Sequence, residues 1–372
     1  VKYCTECLYP DTKPDLTFDE NGVCSACTAF KARDTIDWSE RANQFADLVK
    51  FIKDGHRGPS PYHCIIPVSG GKDSHYQVIK AKEHGLNPLT VTAITDDLSD
   101  LGRYNLDNIS YLGVDNVSVA VNARLRRVIN RYTLETVGDI SWAEHVTIFT
   151  IPILEAVLRD IQYIIWGENP QNEYGGPNKN SQSLSMMNST WLQEFGGLNG
   201  LRVDDIISTG LATKDQMYQY RMPPANRWPN SIFLGQFFPW DGFENAKIAC
   251  EHGFECYHEP VEMHGFQYEN LDNHQTGIHD RFKYLKFGFG RATDICNNHI
   301  RRGRMSREDA IEHVKEYDGM VPMTYLGKRL EDVLEPLGMN LDDYINVENK
   351  FANPDLFEIS EGTFPSPKFE IK

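Results

Sequence analysis

Short apolar runs alternate with amphipathic stretches through the first two thirds of the chain, and that alternation predicts a parallel sheet covered by helices. The candidate strands are 64–68, 89–94, 116–121, 161–166 and 232–234, with helical stretches between them at 73–84, 104–112, 123–137 and 143–159. Upstream, Asp37 stands three residues ahead of Glu40, a capping-box pair that starts a helix running to about residue 54. The Gly- and Pro-rich run 55–61 ends it. Beyond about residue 259 the strand signal fades and helical pattern takes over, at 291–302, at 306–317 with Ser306 as cap, and at 324–334. In such α/β sheets ligands bind beyond the carboxyl ends of the strands. The positions to inspect are therefore 69–74, Thr95 with Asp96 and Asp97, Gly167 with Glu168 and Asn169, and Gly235 with Gln236.

Composition narrows the function classes. Lys and Arg number 37 against 53 Asp and Glu, a formal net charge of −16, which argues against a general affinity for nucleic acid backbones. No apolar run approaches the length of a membrane span and the first residues lack the apolar stretch of a secretory signal, so the expectation is a cytoplasmic protein without membrane insertion. An anionic small-molecule substrate would need a local basic patch. One lies between His279 and Arg307, where Arg281, Lys283, Lys286, Arg291, Arg301, Arg302, Arg304 and Arg307 face only Asp280 and Asp294. It reads either as a wall of the active site or as a solvated helix face.

The cysteines divide into two groups. Cys4, Cys7, Cys24 and Cys27 form two C-x2-C pairs at the spacing of a four-thiolate zinc site, with the turn residues Asp19, Glu20, Asn21 and Gly22 before the second pair. Such a zinc ion is expected to be structural, because four thiolates leave no open position. Cys64, Cys250, Cys256 and Cys296 read as core or half-buried thiols.

The stretch Ser69-Gly70-Gly71-Lys72-Asp73-Ser74 joins the first strand to the first helix of the sheet. The common ATPase loop needs a hydroxyl directly after its lysine, and here Asp73 holds that place. Adjacent glycines let backbone N–H groups converge on an anion, and the helix start adds its positive end. Ser69 and Ser74 are placed to donate to phosphate oxygens, Lys72 to balance charge on a departing pyrophosphate, and Asp73 either to cap the helix or to orient Mg2+. The segment resembles the PP-loop of the ATP pyrophosphatases, which implies an adenine nucleotide alpha hydrolase-like, Rossmann-like domain that binds ATP and transfers AMP to an oxygen.

Further motifs extend the resemblance: Trp166-Gly167-Glu168-Asn169-Pro170-Gln171-Asn172-Glu173-Tyr174-Gly175-Gly176, Phe233-Leu234-Gly235, Pro239-Trp240-Asp241, Gly277-Ile278-His279-Asp280, and Lys286-Phe287-Gly288-Phe289-Gly290-Arg291-Ala292-Thr293-Asp294. Together with the loop and the cysteine pairs they resemble the N-acetyl sugar amidotransferases, the WbpG and PseA type enzymes of bacterial surface-glycan synthesis. The resemblance implies a zinc knuckle at 1–30, a helical linker at 31–62, a PP-loop domain at 63–258 and a mainly helical region at 259–372 that completes the active site. It also implies adenylation of a sugar's acetamido oxygen, attack by ammonia and release of AMP. The substrate would be a nucleotide-linked diacetamido sugar. Ammonia would come from a separate glutaminase and synthase-like pair resembling those of histidine biosynthesis, in keeping with the lack of a glycine-flanked nucleophilic cysteine here.

On this reading Glu168 and Glu173 hold magnesium, Asn169 touches the α-phosphate or the amide, and Tyr174 binds sugar or base. Lys286 and Arg291 stabilise the pentavalent α-phosphorus or a sugar nucleotide's diphosphate. Trp240 and Asp241 form a sugar platform or pack in the core, and His145, His279 and His299 are candidate proton acceptors for incoming ammonium. The rival readings are a tRNA-modifying PP-loop enzyme and a scaffold with a degenerate nucleotide site.

Overall fold

The computed structural model describes residues 1–167 and 199–372. Five parallel strands, β1 (Cys64–Pro67), β2 (Pro88–Ala93), β3 (Asp115–Val119), β4 (Tyr163–Trp166) and β5 (Asn230–Phe233), pair in the order β3-β2-β1-β4-β5. The chain runs outward from β1 to β3, then crosses back to place β4 on the other flank of β1. That reversal opens a crevice at the carboxyl ends of β1 and β4.

Side-chain alternation along β1 explains why both faces are covered. Cys64, Ile66 and Val68 point into a core shared with α2 (Trp38–Gly55), α3 (Lys72–Glu83), α4 (Asp100–Tyr111) and α8 (Gly242–Glu251). Ile65 points the other way, toward Ile151, Ile153 and Ala156 of α6 (Trp142–Arg159). Helix α5 (Ala123–Val137) packs outside α6 with α7 (Val203–Ser208). The caps were legible in the chain: the Asp37 side chain accepts from Glu40 N at 3.0 Å, and Ser306 accepts from Asp309 N at 3.0 Å to start α11 (Arg307–Tyr317).

Residues beyond the sheet form α9 (Thr276–Phe287), α10 (Arg291–Arg301), α11, α12 (Leu330–Leu334) and α13 (Leu341–Phe351). Ile278 and Phe282 of α9 share a core with Leu134 of α5 and Tyr344 of α13, so this region packs directly on the sheet's helices. The helix expected at 324–334 is corrected: Thr324–Tyr325 and Lys328–Arg329 form the short strands β6 and β7, and only Leu330–Leu334 is helical. Gly327 at φ 76° and Leu326 at φ 48° make the reversal that the apolar periodicity concealed. Helices α8, α9 and α13 were not among the elements expected from the sequence; α13 is as amphipathic as the expected α5, so its pattern was readable. Strands β8 (Phe357–Glu358) and β9 (Ser366–Pro367) close the chain.

The N-terminal residues fold around the four cysteines, with α1 (Ser25–Lys31) following the second pair. This unit docks on α10, where Leu8 N donates to Asn297 Oδ1 at 2.7 Å and Tyr9 Oη donates to Asp294 Oδ1 at 2.9 Å. Among the described residues no helix is long and apolar enough to cross a membrane.

Candidate functional site

The loop 69–71 turns sharply out of β1. Gly70 takes φ +90°, and a Cβ there would stand 2.7 Å from the Leu106 amide nitrogen of α4, so both the angle and the space exclude a side chain. Ser69 N donates to Ser74 Oγ at 3.0 Å and Gly71 N to Ser69 Oγ at 3.4 Å, which folds the loop over the start of α3. His75, buried, is 3.0 Å from the Gly71 carbonyl through Nδ1 and 3.0 Å from Asn108 Nδ2 through Nε2, which fixes its ring as a buttress under the loop.

Gly71 is the residue before α3, so Asp73 lies inside the first turn and does not cap it. Its carboxylate receives Lys72 Nζ at 2.9 Å and Asn245 Nδ2 at 2.7 Å. Lys72 also pairs with Glu269 at 2.8 Å. Burial works to lower the Lys72 ammonium, but Asp73 and Glu269 outweigh it and hold it firmly protonated. Glu269 itself is raised, by burial first.

Two cavities meet at the loop. One, of about 380 Å³, runs along the ends of β1, β2 and β4, lined by apolar Val91, Ile94, Pro152 and Trp166 together with Gln77 and Thr95. Among the described residues Thr95 Oγ1 is buried there without a hydrogen-bond partner, a polar atom able to meet a ligand. Gly167 borders the same cavity, and a Cβ on it would meet Gln77 Nε2 at 2.8 Å and Trp240 at 3.0 Å. The other cavity, about 170 Å³, is polar: loop 69–74, Tyr268, Glu269, Asp272 and Arg291 enclose it. Asp272 touches both cavities, and its carboxyl is pushed up to about 7 by burial and then by Glu144. Asp73, Glu269 and Asp272 border the polar cavity beside the loop, but among the described residues only the four cysteines converge closely enough to share one metal ion.

A third cleft, of about 420 Å³, borders Arg291 as well and is lined by Lys13, Asp139, Asn199, His279, Lys283, Lys286 and Phe289. Buried Asp139 stands 3.1 Å from His279 Nδ1 and 3.6 Å from His145 Nδ1. Burial alone would raise its carboxyl; the two imidazoles outweigh it and hold it well below the usual carboxylate range.

The loop residues Ser69 to Ser74, with Thr95, Gly167 and Arg291, thus come together around two adjoining cavities. Lys286 does not join them. Its ammonium donates to the carbonyls of Val137 at 2.7 Å and Gly138 at 2.9 Å, at the end of α5 and on the third cleft with His279. Trp240 is both core and wall: buried, edge-on to Tyr76 at 5.4 Å, and bordering the apolar cavity. Asp241 is held by Arg302 at 3.0 Å and Arg304 at 2.6 Å while it caps α8, so its carboxylate is already engaged within the protein. Glu168, Asn169, Glu173 and Tyr174 lie outside the described residues.

The basic run 279–307 is neither a solvated face nor one wall. Arg281 is buried against Glu348 at 2.9 Å, Lys283 pairs with Asp294, Arg302 and Arg304 grip Asp241, and Arg307 reaches Cys7 O at 3.3 Å. Arg291, in a two-pronged contact with Asp280 at 2.8 and 3.2 Å, is the member of the run that reaches the loop cavity. Glu269, Asp272, Tyr268 and Asn245 went unremarked in the sequence, because they arrive from irregular or weakly patterned segments far along the chain.

The sulfur atoms of Cys4, Cys7, Cys24 and Cys27 all lie within 4.8 Å of one another and are buried. Backbone N–H groups of Glu6, Cys24 and Cys27 point at sulfur at 3.2 to 3.4 Å, and Arg301 Nε stands 3.5 Å from Cys27 Sγ. Four converging thiols with donors aimed at them could hold one soft divalent ion. Cys250 and Cys256 correct their expectation, because both are exposed, with sulfurs 3.7 Å apart.

Residues 251–368 match the family model described as LPS biosynthesis protein WbpG-like, C-terminal domain. No curated protein matches the chain. Among solved structures it is similar to NMN synthetase from Francisella tularensis, at 13% identity, over 58% of this chain and 87% of that one, with a TM-score of 0.29, too loose a superposition to bear on function.

Proposed function

We propose, from the match of residues 251–368 to the model of the WbpG-like C-terminal domain, that the chain is an ATP-dependent amidotransferase of bacterial surface-glycan synthesis. The observation that carries the reading is the junction at the loop: an apolar cavity of adenosine size opens into a polar one of diphosphate size across Ser69, Asp73 and Ser74. ATP laid across that junction puts its α-phosphorus at the start of α3, whose positive end favours the charge that develops there.

In the reaction we infer, the acetamido oxygen of a nucleotide-linked sugar attacks the α-phosphorus and pyrophosphate leaves. Ammonia then adds to the imidate carbon, the C–O bond breaks, AMP departs and an acetamidino group remains. Lys72 and Arg291 offset charge on the leaving pyrophosphate. Asp73, beside the loop, is the carboxylate that would face a magnesium ion brought in with ATP, and such an ion would supply further charge neutralisation on the phosphates. We assign the nucleotide sugar to the cleft bounded by Lys13, His279, Lys283, Lys286 and Arg291, in which Asp15, Asp139 and Asp294 balance part of the positive charge. His279, oriented through Nδ1 by Asp139, is suited to take a proton from incoming ammonium.

The four-cysteine unit is read as a structural zinc site, since no position remains open for a substrate. Ammonia is expected from a separate glutaminase and synthase-like pair. The test is product analysis: with ATP, magnesium, ammonium and a UDP- or CMP-linked diacetamido sugar, AMP, pyrophosphate and an amidine should form together. Release of ADP and phosphate would overturn the reading.

A further inference from the structure

Arg304 Nε donates to His299 Nδ1 at 3.0 Å, and the opposite ring nitrogen, Nε2, lies 2.9 Å from Tyr268 Oη. A guanidinium has no lone pair to offer, so Nδ1 must be the acceptor and the imidazole proton must sit on Nε2. Nε2–H then donates to Tyr268. A flipped ring would put carbon against both polar neighbours, and the ring is further held flat against Phe266, 5.3 Å away at 10°. Arg304 cannot turn to relieve this arrangement, because Asp241 grips its other two nitrogens at 2.6 and 2.9 Å.

The consequence falls on the tyrosine. Its oxygen has accepted, so its own proton must go elsewhere, and among the described residues the hydroxyl has no other hydrogen-bond partner. Tyr268 lines the polar cavity beside Glu269, with Lys72 Nζ 6.0 Å from its ring centre. We infer that Tyr268 donates its hydroxyl proton to the pyrophosphate end of bound ATP, and that His299 and Arg304 are positioning residues that orient it for this. Protonation states agree with the geometry. Burial, then Arg304, lowers the His299 imidazole to about 4, so it stays neutral; burial raises the Tyr268 phenol, so it keeps its proton.

The inference rests on reading the polar cavity as a phosphate site, and the experiment separates the two. Magnesium pyrophosphate is titrated calorimetrically into the full chain and its variants, with the thermal midpoint recorded for each. Tyr268→Phe should weaken pyrophosphate about tenfold or more, the effect of removing a hydrogen bond to a charged group, at an unchanged midpoint. His299→Leu should lose a similar factor, with little further loss in the double variant. His299→Gln should recover most of the affinity, since its amide oxygen can accept from Arg304 while its NH2 donates to Tyr268. Wild-type affinity in Tyr268→Phe, or equal losses in His299→Gln and His299→Leu, would overturn the relay. A wild-type chain that takes up no pyrophosphate overturns the phosphate site and the relay together; one that binds it but moves no nitrogen to a sugar overturns the proposed reaction alone.

Discussion

Lys72 and Glu269 meet at 2.8 Å although they come from opposite ends of the fold, one from the loop after β1 and the other from the segment ahead of α9. The lysine side chain is 7% exposed and the glutamate 19%, so Lys72 is the glutamate's compensation for lost hydration, while Asp73 and Glu269 together compensate the lysine. On the proposed function, ATP entering the cavity would take over part of that ammonium. Lys72→Met should therefore lower turnover by a factor on the order of 100 or more, while Glu269→Gln, which leaves Lys72 its contact with Asp73, should cost less. Initial rates check both, and a Lys72→Met variant with full activity would show that the loop has another task.

Gly70 predicts a purely geometric failure. Gly70→Ala must accommodate both φ +90° and an approach of 2.7 Å to the backbone of α4, at a cost of about 1–3 kcal/mol. ATP affinity should fall with it, because the loop amides are displaced. Gly362→Ala, at φ +73° with open space around it, controls for the angle alone. Chemical denaturation of the two variants separates crowding from conformation.

The buried His264 sets an acid limb. Its Nδ1 accepts from Phe266 N at 3.1 Å, and burial lowers it from the ordinary 6.5 to about 3. Above pH 6.5 both folded and unfolded chains carry it neutral, and its contribution is complete. Between 6.5 and 3 the unfolded chain takes up a proton that the folded chain refuses, so stability falls as pH falls. His264→Asn, whose amide oxygen can replace Nδ1, should remove about 2 kcal/mol of the loss between pH 7 and pH 4.5, read from urea midpoints. An unchanged acid slope would show that the imidazole is protonated in the folded chain.

Metal content is a separate check on the cysteines. One zinc per chain is expected by mass spectrometry, and Cys7→Ser or a strong chelator should release it. Because Leu8 and Tyr9 are hydrogen-bonded to Asn297 and Asp294, the loss should raise amide exchange in α10 as well as around the cysteines. Exchange confined to the first 31 residues would show the unit to be independent.

The sheet was legible because its signals are local. Five apolar runs of strand length and an Asp37 or Ser306 cap depend only on near neighbours, and each appeared within a few residues of its expected place. The loop was legible for the same reason, since strand, two glycines and helix are consecutive. The counter-carboxylates were not: Glu269 and Asp272 sit in an aperiodic stretch, carried to the loop by long-range contacts such as the Leu98–Asn273 bridge and the Ser99 N–H on the Asp272 carbonyl. Asp241 shows the converse. Beside Trp240 it looked like a ligand residue, but two arginines from beyond α10 had a prior hold on it, and no sequence period announces such a pairing.

Arg301, Arg302 and Arg304 occupy a single turn at the end of α10, the first against cysteine sulfur and the other two on Asp241, from which the chain of hydrogen bonds runs to Tyr268. The thiol cluster and the phosphate cavity are therefore two ends of one lever a few residues long. Oxidising the cysteines, or trimming the chain ahead of α2, would shift its fulcrum. On the proposed function, nucleotide affinity then becomes a gauge of whether the N-terminal unit is intact, and a preparation with disturbed cysteines would read as a poor ATP binder before it read as an unfolded protein.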